Sequence, residues 1–246
     1  MNYPNITLLP SAIHPSWQGF LTSDNLDILK DIENKIGNDF TPRDKLVLRC
    51  MFLDIASFKL VILGQDPYKE IGVANGRAFQ PDNLTDWHQT FRQVSLKNIV
   101  RLIYKTYNRI EDYEDIPTYK EVIKAVDSHR FNIADPQKWF SCTEKQGVLW
   151  LNTTLTCRVG ESNSHKEIWA EFSRRMLNYI STYNPNLIWF LWGKEAQQEE
   201  DNILKYRKLY KSRHPMMCSS KYEDDFLKSK CFLETFCEID WLCEKV

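Results

Sequence analysis

Three polar residues of chemically useful types occur in this sequence, two of them after apolar runs. Asp66 comes after the first run, between a glutamine and a proline, where a stiff turn would hold a carboxylate able to activate water or to stabilise a cation. Asn152 follows a second run, and its amide could present both a donor and an acceptor to a ligand. His214 follows the mixed polar and apolar run 208–213 (KLYKSR) and directly precedes Pro215. Each residue alone is better explained as a turn, cap or surface residue, so the chemistry depends on their meeting.

The surrounding pattern predicts the elements that would bring them together. Apolar runs that end in turn residues predict buried strands at 58–63, 147–151 and 187–192. Amphipathic stretches predict helices at 26–36, with Ser23 or Asp24 as N-cap, and at 95–107, 120–128 and 165–183. Alternating strands and helices indicate an α/β fold with a parallel sheet covered on both faces. Ligands bind at the carboxyl ends of such strands, so the three polar residues would converge on one rim.

Composition and charge narrow the class of protein. The 246 residues are 43% hydrophobic, 26% charged and 13% aromatic, which is typical of a globular protein. No repeat or Gly/Ser linker divides the chain, so one domain spanning 1–246 is expected. The formal charge of -1 argues against a generally basic nucleic-acid binder, although a local basic patch stays open. The sequence has neither an apolar run of about 20 residues nor a secretory signal, so a soluble intracellular protein of the cytoplasm or nucleus, not a secreted one, is expected.

The seven cysteines give no sign of a metal site or a disulfide framework. They form no CxxC pair, and none lies at zinc-finger spacing from a second cysteine or histidine. Reduced thiols, mostly buried, are therefore expected.

Five segments together resemble a known enzyme family. In order and approximate spacing they are similar to the uracil-DNA glycosylases whose water-activating motif reads GQDPYH, and a weaker resemblance runs from Trp17 to the IDW at 239–241. The segments are VILGQDPY at 61–68, GVLWLNTTLT at 147–156, NSHKEIWAEF at 163–172, LIWFLWGKEAQ at 187–197 and SRHP at 212–215. The resemblance implies a single α/β domain with a central four-stranded parallel sheet flanked by helices. It also implies an enzyme that cleaves uracil from DNA after extruding the base, without metal or cofactor.

The resemblance also implies roles for individual residues. Asp66 would stabilise the cationic sugar and direct the attacking water, and His214 would donate a hydrogen bond to uracil O2 as the base departs. Asn152 would read uracil N3 and O4, which cytosine presents with the opposite polarity. Tyr68 would exclude the methyl group of thymine and Phe79 would stack on the base.

Gln65 would form part of the pocket wall through its backbone, and the remaining implied contacts are with DNA. Ser95 resembles the residue that holds a DNA phosphate at the end of the family's proline-rich loop. It could also cap a helix, with Asn98 three residues on, and the two roles are compatible. Lys69 stands where the family usually has histidine, and it could still contact a phosphate.

The loops that contact DNA in the family have a different sequence in this chain. After His214 the family continues with a leucine that wedges into the duplex, whereas this chain has Pro215, Met217, Cys218 and Ser219 in that loop. Cys218 stands at the wedge position, and the longer Met217 could insert instead. The segment 81–94 lacks the run of prolines and 197–202 is acidic, so weak duplex binding and a preference for single strands are expected.

Two other functions stay open on the sequence. One is excision of another or a modified pyrimidine in virus–host conflict, which Tyr68 argues against. The other is a non-catalytic homologue that binds DNA or a partner, which the intact Asp66 and His214 argue against. The expected partner is DNA that contains uracil, and a protein inhibitor that mimics DNA is a further candidate partner. The protein is expected to be a monomer and not to bind membranes.

Overall fold

A four-stranded parallel sheet lies at the centre of the protein, in a computed structural model that describes residues 6–244. The strands are β1 (Phe40–Thr41), β2 (Leu60–Gly64), β3 (Val148–Asn152), β4 (Cys157–Arg158), β5 (Ile188–Trp192) and β6 (Lys208–Ser212). The central sheet has the order β3-β2-β5-β6, and β1 pairs with β4 in a separate antiparallel ribbon. The predicted α/β fold with four parallel strands is confirmed, while the predicted domain limits at 1 and 246 lie outside the described residues.

Helices cover both faces of the sheet. The α-helices are α1 (Ser23–Ile36), α2 (Asp44–Val47), α3 (Val94–Tyr107), α4 (Tyr119–Asp127), α5 (Pro136–Lys145), α6 (Lys166–Tyr183) and α7 (Lys194–Gln198). Short 3-10 turns occur at Pro15–Trp17, Arg49–Phe52, Ile55–Ser57, Tyr113–Asp115, Glu200–Asn202 and Phe226–Lys228. None of the helices within 6–244 is both long and apolar enough to cross a membrane.

The alternation of side chains along each strand divides the core into two layers. In β2, Leu60 and Ile62 pack on the side of α3, α4 and α5, whereas Val61 and Leu63 pack on the side of α1 and α6. All five residues of β2, β3 and β5 are buried because helices cover both faces. Strand β6 lies at the sheet edge and keeps exposed residues. The strands end nearly level, since Gly64 pairs with Asn152 and Leu191 with Lys211.

Some predicted boundaries were wrong. Helix α1 is capped by Thr22, whose hydroxyl accepts a hydrogen bond from the Asn25 N–H at 3.4 Å, and not by Ser23 or Asp24. Helix α3 begins one residue earlier than expected, so Ser95 lies inside its first turn and cannot be its N-cap. Helices α2, α5 and α7 were not predicted, because α2 and α7 are too short to show a helical period and α5 has only Trp139, Phe140 and Cys142 as apolar residues after its first position.

The expectation of seven reduced thiols was also wrong. The structure joins Cys142 of α5 to Cys243 in a disulfide across 101 residues of sequence. The C-terminal segment folds back on α5, where the Trp139 Nε1–H donates to the Trp241 carbonyl at 2.6 Å. Sequence spacing could not reveal this contact, because the fold alone brings the two cysteines together. Since disulfides persist mainly in oxidising surroundings, the bond is in tension with the intracellular setting expected from the sequence.

The disulfide gives a direct prediction for the purified protein. Alkylation of denatured but unreduced protein should label five of the seven cysteines, and reduction should lower the free energy of unfolding by about 2–4 kcal/mol. Mass spectrometry and urea titration measure the two effects, with Cys237→Ser, at an exposed free thiol, as the control that leaves both unchanged apart from one label. Labelling of all seven cysteines without reductant would show that the bond is absent.

Candidate active site

Three of the sequence-predicted residues emerge from the carboxyl ends of sheet strands. Asn152 is the last residue of β3, Asp66 lies two residues beyond β2, and His214 lies two residues beyond β6. Because the strands are parallel and end nearly level, all three lie along one edge of the sheet. The ring of Phe79 bridges the gap between them, with its centroid 6.2 Å from that of His214 and its edge close to Gly64.

Asn152 approaches the neighbouring strand so closely that only glycine fits opposite it. A Cβ atom on Gly64 would lie 2.4 Å from Asn152 Oδ1 and 2.9 Å from the Cβ of Ala78. The Asn152 residue is 6% exposed. The missing side chain of Gly64 therefore makes room for the Asn152 amide at the strand ends.

Phe79 lies beside the same strand ends and has a strained backbone. Its φ of 63° lies in the left-handed region, which is unfavourable for a bulky residue and is found mainly where surrounding contacts hold it. The Tyr68 hydroxyl donates a 2.9 Å hydrogen bond to the Phe79 carbonyl, so the two aromatic residues hold one another. Phe79 also packs on Trp192, with ring centroids 5.6 Å apart.

Asp66 is held by a residue that the sequence analysis did not single out. The Asn163 N–H donates to Asp66 Oδ2 at 2.8 Å, and Asn163 has a φ of 62°, a conformation that asparagine tolerates better than most residues. The Gln65 side-chain amide donates to Asn163 Oδ1 at 2.5 Å, and the Gln65 carbonyl accepts from the Thr154 N–H. The only available signal was the position of Asn163 in the NSH segment after β4.

Opposing effects act on the Asp66 carboxyl group. Burial raises its pKa above the ordinary value of 3.8, while the Asn163 N–H and the nearby Lys69 ammonium lower it. Burial dominates, so the carboxyl is a stronger proton acceptor than a solvated aspartate.

His214 lies in surroundings that favour the neutral ring. Burial lowers its pKa below the ordinary 6.5. Its Nδ1 accepts the Met216 N–H at 3.2 Å, so we assign the proton of the neutral ring to Nε2. Gly193 lies against it, since a Cβ there would be 2.8 Å from His214 Cβ.

The residues predicted to contact DNA, called the rim below, lie in the first turn of α3, directly after Tyr68 and in the loop after His214. Ser95 is half-buried in the first turn of α3, and Asn98 of that helix donates to the Pro215 carbonyl at 2.6 Å. Met217 is 58% exposed, whereas Cys218 turns inward, donates to the Pro215 carbonyl and packs against the core.

Two further rim residues are anchored through their backbones. The Ser219 N–H donates to Asp225 Oδ2 at 2.6 Å. The Lys69 carbonyl accepts from the Gly160 N–H at 2.9 Å, and its side chain is half-buried near Asp66. No cluster of three or more potential metal ligands occurs in the described part of the chain.

Comparisons with known proteins agree on one family. Residues 51–239 match the model of the uracil DNA glycosylase superfamily. A uracil-DNA glycosylase of Blochmanniella floridana is 33% identical over 231 residues, covering 89% of this chain and 91% of that protein. One from Francisella tularensis subsp. holarctica strain LVS is 32% identical over 183 residues, covering 74% and 71%.

Solved structures share the fold. The wild-type UNG of Nitratifractor salsuginis aligns with a TM-score of 0.69 at 20% identity, covering 94% of this chain and 92% of that one. Mimivirus uracil-DNA glycosylase aligns with a TM-score of 0.59 at 22% identity, covering 85% and 70%. A mimivirus UNG variant in complex with UGI aligns with a TM-score of 0.57 at 20% identity, covering 85% and 71%.

The surroundings of two histidines predict shifts of their pKa values in opposite directions. By NMR, His214 should titrate below 6.5 because burial disfavours its charged form, and the Asp66 carboxyl should titrate above 3.8. His88 is an internal control, since hydrogen bonds to Asp86 and Asp127 raise its pKa. A His214 midpoint at or above that of His88 would contradict the proposed neutral ring.

Proposed function

The chain belongs to the uracil-DNA glycosylase superfamily, and from this premise we propose that it hydrolyses the N-glycosidic bond of uracil in DNA with Asp66 and His214 as catalytic residues. The observation that carries the proposal is the meeting of Asp66, Asn152, Phe79 and His214 at one edge of the sheet. A carboxylate, a base-reading amide, a stacking ring and a neutral imidazole are the groups that this reaction needs.

Breaking the bond leaves positive charge on the sugar and negative charge on the base. Asp66 supplies negative charge beside the sugar and directs the attacking water. The Asn163 N–H and Lys69 support this role, because both favour the ionised carboxylate against the effect of burial. His214 donates from Nε2 to uracil O2, which stabilises the departing anion without a proton transfer from a charged ring.

Three side chains read the base. The Asn152 amide accepts from uracil N3 and donates to O4, and cytosine would leave these groups mismatched at a cost of about 1–3 kcal/mol each. Phe79 stacks on the ring. Tyr68 stands against C5, and its hydrogen bond to the Phe79 carbonyl keeps the phenol from swinging aside for the thymine methyl group. That restraint weighs against a bulky modified pyrimidine as substrate.

The residues of the rim are expected to bind duplex DNA weakly. Met217 is the proposed wedge, because it is exposed while Cys218 faces the core. Ser95 and the first-turn N–H groups of α3 are proposed to hold a phosphate, with Lys69 as a second contact and Pro215 and Ser219 shaping the loop. The acidic residues Glu199, Glu200 and Asp201 follow α7 and repel a backbone nearby. Single strands are therefore the preferred substrate, since they spare the cost of extrusion.

The proposal extends to partners and setting. We include a DNA-mimicking protein inhibitor as a candidate partner, because a mimivirus neighbour forms a complex with UGI. The enzyme is proposed to act as a monomeric single domain inside the cell, in cytoplasm or nucleus, with no cofactor.

Excision should be confined to uracil and depend on Asp66. Oligonucleotides that carry one uracil, thymine or hydroxymethylated cytosine are incubated with the protein and then cleaved at abasic sites with alkali. Breaks are expected at uracil alone, and Asp66→Asn should slow them by about 10²–10⁴-fold because the amide cannot activate water. Asp27→Asn, on the exposed face of α1, is the matched control. Breaks at the modified base, or binding without breaks, would refute the proposal.

The wedge proposal predicts a difference between substrates. Met217→Ala should reduce the rate on duplex uracil by about 10-fold and leave the single-strand rate nearly unchanged, because only the duplex needs the base replaced in its stack. Met216→Ala, at an equally exposed neighbour, is the matched control. Equal rates of the wild-type protein on the two substrates would contradict the single-strand preference.

A further inference from the structure

The loop that carries Phe79 is fastened to helix α5 on both sides of that residue. Arg77, two residues before Phe79, donates to Glu144 through Nε at 2.7 Å and Nη2 at 2.6 Å. Gln80, one residue after Phe79, donates to Gln137 Oε1 at 2.9 Å. Gln137 and Glu144 are seven residues apart on α5 and therefore share one face of the helix.

We propose that Arg77 and Glu144 are positioning residues that set the two aromatic walls of the base pocket and thereby its preference for uracil over thymine. The proposal rests on the function proposed above, in which Phe79 stacks on uracil and Tyr68 excludes a C5 methyl group.

The contacts of Arg77 with Glu144 and of Gln80 with Gln137 are called the clamp below. The strained backbone of Phe79 explains why the clamp is needed. A phenylalanine at φ 63° would relax to another conformation unless neighbouring contacts prevented it. The bidentate pair of Arg77 and Glu144 fixes the chain before Phe79. Arg77 Nη1 also donates to Gln80 Oε1 at 2.7 Å, so the residues on the two sides of Phe79 are joined to each other. The Phe79 carbonyl is thereby fixed as the acceptor for the Tyr68 hydroxyl, so both walls depend on one clamp.

The ion pair is sheltered from solvent, which makes it a firm restraint. The side chains of Arg77 and Glu144 are only 9% and 12% exposed. Arg49 also contacts Glu144, with Nη2 3.2 Å from Oε1, so one carboxylate serves two guanidinium groups. Removing the carboxylate would leave two sheltered positive charges facing each other, whereas changing Arg77 to lysine keeps the charge and loses only the two-pronged geometry.

Helix α5 also connects the clamp to the base-reading amide. It leads through Gly147 directly into β3, which ends at Asn152. Trp139 and Phe140 of α5 pack on Trp150 of that strand, with ring centroids 5.4 Å and 4.9 Å apart. Helix α5 therefore contacts both the loop that carries Phe79 and the strand that carries Asn152.

The test compares Arg77→Lys and Glu144→Gln with the wild-type protein. We expect the inhibition constant of free uracil to rise by about 10-fold, because the stacking ring is misplaced. We also expect the inhibition constant of thymine divided by that of uracil to fall by a similar factor, which means a weaker preference for uracil. The KM for a uracil oligonucleotide should rise more than kcat falls. Glu171→Gln is the matched control, because Glu171 also serves two arginines, Arg174 and Arg175, but on the exposed surface of α6.

A purely structural role would change stability without changing base preference. Melting temperatures are therefore measured alongside, and Arg77→Lys keeps the test available if Glu144→Gln does not fold. Unchanged uracil and thymine constants in a folded Arg77→Lys variant would overturn this inference alone. A wild-type protein that releases no uracil would overturn the proposed function and this inference with it.

Discussion

The contact of Asn152 with the backbone of Gly64 is the constraint on which the rest of the site depends. The two residues are register partners at the ends of β3 and β2, and the space above Gly64 is filled by the Asn152 oxygen and by Ala78. The loop that carries Phe79 must therefore pass directly over the strand ends. A sheet slipped by one residue would turn Asn152 to the other face and separate it from this loop. The chemistry of the pocket is thus fixed by strand pairing before any loop is considered.

Burial affects the two groups that we propose as catalytic, and the proposed reaction needs them in different charge states. Removing water favours the neutral form of both, which suits the imidazole of His214 but opposes the ionised carboxylate of Asp66. The protein reduces this conflict locally, because the Asn163 N–H and the Lys69 ammonium lower the pKa of Asp66 and partly offset the effect of burial. One sheltered pocket can therefore hold a carboxylate prepared to accept a proton beside an imidazole that donates a hydrogen bond while uncharged.

Local patterns in the sequence predicted the parts of the fold that local forces determine. Uninterrupted apolar runs indicated the three buried strands, since a strand covered on both faces has no polar side. The residues proposed for the pocket were predicted from their resemblance to short family motifs. The structure joins Tyr68 to Phe79 and places the Phe79 ring beside Gly64 and His214. Asn163 was missed because its backbone, not its side chain, holds Asp66. The Cys142–Cys243 bond and the Arg77–Glu144 pair were missed because each joins segments far apart in sequence, and only the tertiary fold defines such contacts.

The proposed base pocket and the rim proposed to contact DNA are held by different kinds of interaction. Phe79 and Asn152 are tied into strand ends, core aromatics and sheltered hydrogen bonds, so a change there disturbs the packed core. Met216 and Met217 project into solvent from a loop anchored by backbone contacts to Asn98 and Asp225. Their side chains can change at little cost in stability, because few buried atoms depend on them. Under the proposed function, side chains of the rim can therefore change without disturbing the residues proposed to recognise the base.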